Sequence, residues 1–124
     1  MNVRLCARWT LAACLTFVAC TAAHAADTLR IGSKRFTESY IVAQLLAQTA
    51  APHAPVEVLQ GLGNSAIVYA ALRSGAIDLY PEYVGTIDLE ILKNAAPSKT
   101  LDDLRRQLAL LGLGVAIPLG FNDG

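Results

Sequence analysis

Three short apolar runs, at residues 28–32, 56–60 and 77–80, alternate with longer stretches whose apolar residues recur at helical spacing. No other feature constrains the fold as strongly. Ile41, Val42, Leu45 and Leu46 predict a helix over residues 38–51, with Thr37 as its cap and Pro52 and Pro55 as its stop. After the second run, Gly61-Leu62-Gly63-Asn64 reads as a turn into a helix over residues 65–74, ended by Gly75. Pro81 turns the chain after the third run, and a helix is expected to start near Thr86. A last helix over residues 101–111 has Thr100 at its cap, Asp103 three residues on, and Gly112 as its stop. Strands alternating with helices predict an α/β layer on a mostly parallel sheet flanked by helices. Ligands in such sheets bind beyond the carboxyl ends of the strands, so the segments after each strand are the ones to inspect.

The first 25 residues stand apart from this pattern. Arg4 and Arg8 precede an uncharged apolar run from Trp9 to Ala23, which closes on Ala23-His24-Ala25. That order of charged, apolar and small residues predicts a secretory signal cleaved before Ala26, and hence a periplasmic mature chain. The run is shorter than the roughly 20 residues a membrane-spanning helix needs. A second processing route is acylation at Cys20, which follows Phe17-Val18-Ala19. Either way one domain remains, residues 26–124, with no linker or repeat dividing it.

Cys6, Cys14 and Cys20 all lie inside the signal, so cleavage before Ala26 leaves no cysteine for a disulfide, a nucleophile or a metal site. The 54% hydrophobic content partly reflects the same segment. The rest carries eight basic residues against ten acidic ones, which does not suit a nucleic-acid partner. His53 is the single histidine left, and it sits between prolines in a loop. A hydrolase would need a nucleophile with a base or a metal cluster, so no enzymatic activity, metal or cofactor is expected.

The segments after the strands carry a resemblance. In order they are Gly32-Ser33-Lys34 with Phe36-Thr37-Glu38, then Gly61-Leu62-Gly63, then residues 77–86 reading Ile-Asp-Leu-Tyr-Pro-Glu-Tyr-Val-Gly-Thr, and finally Pro118-Leu119-Gly120-Phe121-Asn122-Asp123. Over residues 28–124 the chain resembles the glycine betaine, choline, carnitine and proline betaine receptors of osmoprotectant ABC importers. The resemblance implies a type II periplasmic-binding lobe, a quaternary ammonium ligand, and permease and ATPase subunits as partners. Members of that family are longer and have a second lobe, so it also implies that this chain is an N-terminal part of the first lobe. Roles are carried onto matching positions: Lys34 and Thr86 to a ligand carboxylate, Tyr83 to one wall of an aromatic cage, and Asp123 to the ammonium group.

Side-chain chemistry fits these roles but leaves alternatives open. A trimethylammonium group has no N–H, so it is held by ring faces and negative charge, each ring contact worth about 0.5 to 2 kcal/mol. Tyr80 and Tyr83 can supply such faces, or one can pack in the core and the other on the surface. Lys34 lies before a helix amino terminus, a place that also favours an anion, but lysines in such loops are commonly just solvated. Thr86 can cap a helix or offer its hydroxyl to a carboxylate. Gly61 and Gly63 lack the further residues of a phosphate loop and read as a tight turn. Glu38, Asp78 and Glu82 read as helix-start or solvated charges. A receptor for another zwitterion, such as an amino acid, is the closest rival function, and a truncated product without function is a third reading.

Overall fold

The computed structural model describes residues 27–120. The expected signal at residues 1–25 and the expected ligand contact Asp123 lie outside them. Strand β1 (Leu29–Lys34) occupies the middle of the structure, with Ile31 fully buried. It pairs in parallel with β2 (Val56–Gly63) from Leu29↔Val56 to Gly32↔Leu59. Helix α1 (Thr37–Ala50) provides the crossover between them, as parallel neighbours require. Helix α2 (Ser65–Arg73) follows β2 directly, and Asn64 caps it by accepting from Ile67 N–H at 3.1 Å. The architecture is therefore α/β with a parallel sheet flanked by helices, as expected.

Four local expectations are corrected. Strand β2 does not stop at Gln60 but continues to Gly63, because Gly61 takes a left-handed φ of 72° and lets the strand bulge between the pairs Gly32↔Leu59 and Lys34↔Gly63. The third strand is reduced to one bridge, Ile31↔Leu79. Its partner donor on β1, the Arg30 N–H, goes instead to the Asp78 carboxylate at 2.7 Å, and Pro81 has no N–H to extend a ladder. Asp78 is thus not merely solvated: it also receives the Arg30 guanidinium at 2.9 Å. Thr37 does not cap α1, since Phe36 is the last extended residue and no side-chain cap bond forms there.

Beyond Pro81 the chain enters a short helix α3 (Val84–Thr86) that runs into a π-helical turn (Ile87–Ile91), closed by Leu92 N–H donating to Ile87 carbonyl at 2.9 Å. The helix begins two residues earlier than expected, with Tyr83 at its N-cap, so Thr86 is already helical and caps nothing. Helix α4 (Leu101–Ala109) is capped by Thr100, whose hydroxyl accepts from Asp103 N–H at 3.1 Å. Ile87, Leu104 and Leu108 bury together, with Ile91, Leu101, Leu113 and Val115 packed against them. That cluster holds the α3 turn in place. No helix among the described residues is long and apolar enough to cross a membrane.

Candidate ligand-binding site

The carboxyl end of β1 delivers Lys34, and the backbone there is fixed by Lys34 N–H donating to the buried Ser39 hydroxyl at 2.9 Å. The alternative of a merely solvated lysine is not what results. Its side chain is only 7% exposed and ion-paired with Glu82, itself 5% exposed. The expectation of a solvated Glu82 is therefore also overturned. Residues 48 apart in sequence meet because Lys34 ends the central strand and Glu82 follows the segment bridged to it at Leu79.

Glu82 Oε1 accepts from Lys34 Nζ and from Tyr83 N–H, the latter at 2.9 Å. Glu82 Oε2 is buried and has no hydrogen-bond donor. Beside this pair stand two aromatic rings, Phe36 and Tyr83, with centroids 6.4 Å apart and planes within 10° of parallel. The Lys34 ammonium lies 4.9 Å from the Tyr83 centroid and 5.2 Å from that of Phe36, so both negative ring faces already attract a cation.

A cleft of about 790 Å³ opens next to this cluster. Phe36, Tyr80, Glu82 and Tyr83 line it, together with the extended segment 113–120. Lys34 and Thr86 are not among its lining residues. Burial pushes the Tyr80 hydroxyl above its ordinary pKa, and the neighbouring Glu82 carboxylate adds to the shift. Among the described residues there is no group of three or more His, Cys, Asp or Glu that could hold a metal ion.

In the π-helical turn, Asp88 is fully buried. It accepts from Asn94 Nδ2 and Ser98 N–H, each at 2.9 Å, and from the Ser98 hydroxyl. Burial pushes its carboxyl up, but the Ser98 and Asn94 hydrogen bonds prevail and hold it below the usual carboxylate range. The loop of residues 92–100 is thereby tied to the turn that follows Tyr83.

Of the residues expected at the site, the structure brings Lys34 and Tyr83 together and puts Tyr80 on the same cleft, while Thr86 stands in the helix behind. Sequence reasoning missed Phe36 and Glu82 as parts of the cluster. Phe36 lies, like Tyr83, in a segment beyond a strand end, the place where ligands bind in such sheets. Glu82 left no local signal, because its burial depends on a partner 48 residues away.

Residues 27–119 match the family described as the substrate binding domain of ABC-type glycine betaine transport systems. The chain is also similar to the glycine betaine-binding protein YehZ of Escherichia coli (strain K12), with 36% identity over 62 residues. That alignment covers 49% of this chain and 20% of YehZ, so the chain matches about a fifth of that relative's length.

Proposed function

Because the chain belongs to the family of substrate-binding domains of ABC-type glycine betaine transport systems, we propose that it binds a quaternary ammonium osmoprotectant, glycine betaine or choline, for an ABC importer. The family is one of transport receptors, not of enzymes, and its fold is the type II periplasmic-binding fold, of which the α/β layer here is a part. The observation that carries the reading is the pair of near-parallel rings, Phe36 and Tyr83, with a cation about 5 Å from both and a buried carboxylate beside them. Ring faces plus one negative charge are what a group without N–H requires.

In this proposal Tyr83 and Tyr80 meet the ammonium end, Lys34 and Thr86 the carboxylate of a betaine, and Asp123 adds negative charge. Residues 1–25 direct export to the periplasm, with acylation at Cys20 as the other route. Residues 26–124 form part of a first lobe that serves permease and ATPase subunits. A second reading, an amino-acid receptor, draws on Glu82 Oε2, a buried acceptor that an α-ammonium N–H would satisfy. Calorimetric titration with glycine betaine, choline and glycine separates the two. The proposal expects the two quaternary compounds to bind more tightly than glycine, and tighter binding of glycine would replace it with the amino-acid reading.

A further inference from the structure

Glu82 is the charge that decides whether Lys34 can reach a ligand. Its Oε1 already holds the ammonium, its Oε2 is buried without a donor, and Glu82 is among the residues that line the cleft while Lys34 is not. A ligand carboxylate that engages Lys34 must draw Nζ away from Glu82. It must also bring a second anion close to a buried one, where charges interact more strongly than in water. A ligand cation at the Phe36 and Tyr83 rings, by contrast, gains from the same carboxylate, which offsets the repulsion of the Lys34 ammonium already 5.2 and 4.9 Å from those rings. One side chain therefore opposes the anionic end of a ligand and favours the cationic end.

Resting on the functional reading above, we infer that Glu82 is a specificity-determining residue of this site, which competes with the ligand carboxylate for Lys34 and so sets the balance between betaines and carboxylate-free cations such as choline. Replacing Glu82 by Gln keeps the shape, and its side-chain oxygen can still accept from Lys34 and from Tyr83 N–H. It removes the competing charge, so glycine betaine gains. It also removes the attraction for a bare cation, so choline loses. Both changes move the affinity ratio the same way. Replacing Lys34 by Gln moves it the opposite way, and the double replacement returns it toward the parent value.

The test is to measure dissociation constants of glycine betaine and choline by NMR titration for the parent chain, Glu82→Gln, Lys34→Gln and the double variant, with circular dichroism to verify folding. The expected result is a shift of the betaine-to-choline affinity ratio by about fivefold or more toward betaine in Glu82→Gln, the scale of coupling between groups that share a partner. Reversal in Lys34→Gln and recovery in the double variant are also expected. Equal changes for both ligands in Glu82→Gln would make its role structural and overturn the inference while leaving the functional reading intact. If Glu82→Gln does not fold, an unchanged ratio between the double variant and Lys34→Gln overturns it equally. Failure of the parent chain to bind either compound overturns the functional reading and this inference with it.

Discussion

Replacing Lys34 by Met leaves the Glu82 carboxylate buried with a single donor, Tyr83 N–H, where it now has two. Both side chains of the pair are less than a tenth exposed, so solvent cannot take over the lost contact. Removing one member of such a pair destabilises by about 3 to 5 kcal/mol, mostly because an uncompensated charge stays buried. That is a large share of the roughly 5 to 15 kcal/mol by which domains are stable, and for a domain of this size it lowers Tm by about 12 °C or more. Adding Glu82→Gln to Lys34→Met removes the stranded charge, and about 2 kcal/mol or more should return. Urea denaturation of the two single variants and the double variant measures this as a coupling energy. A Lys34→Met loss below about 1 kcal/mol, with no recovery in the double variant, is the behaviour of an exposed pair and would refute the buried-pair description.

Other outcomes follow from the same contacts. Asp78 is held below the usual carboxylate range by hydrogen bonds from Arg30, and Asp88 is held low by Ser98 and Asn94 despite its burial. Both carboxylates bind protons more weakly in the folded chain, so their contribution is complete above the unfolded pKa and is lost as pH falls through the folded one. Tm should therefore decline below about pH 4 and be flatter there in Asp78→Asn, as followed by calorimetry. Asp88→Asn turns an acceptor into a donor against Ser98 or Asn94 and should cost about 1 to 3 kcal/mol at neutral pH, measured by urea unfolding. Tyr83→Ala removes one of the two rings beside the cation and, in a cleft open to water, should weaken glycine betaine and choline by about 0.5 to 1 kcal/mol, about two- to fivefold, whereas Tyr80→Phe should change little. Gly32→Ala would place a Cβ 2.6 Å from Ile77 Cδ1 in the core and should cost about 1 to 3 kcal/mol in the same assay.

Local signals account for most of what the sequence made legible. Thr100 with Asp103 marked the start of α4, and Gly75 and Gly112 take the left-handed φ values of 75° and 71° that helix stops favour. What failed depended on side chains arriving from a distance. Asp78 captured a strand donor on Arg30 and reduced the third strand to a bridge, and no periodicity along residues 77–80 could reveal it. Val42 is buried in α1 while Ile41 and Leu45 face out, so the apolar spacing predicted the helix but not its inward face. At the site, Tyr83 and Lys34 were singled out by the family resemblance, and their place after strands only marked the segments to inspect. The burial of Lys34 was not foreseeable without its partner Glu82.

The cleft is open to water, so cation–π contacts there fall toward the lower end of their range, and binding of roughly millimolar strength is expected from this chain. Titrating glycine betaine into the isotopically labelled chain, while following the ring resonances of Phe36 and Tyr83, tests the central claim most directly. Saturable shifts centred on those two rings, lost in Tyr83→Ala, are the predicted result. Resonances that stay unmoved, or that move equally in Tyr83→Ala, would contradict the assignment of this cluster as a quaternary ammonium site.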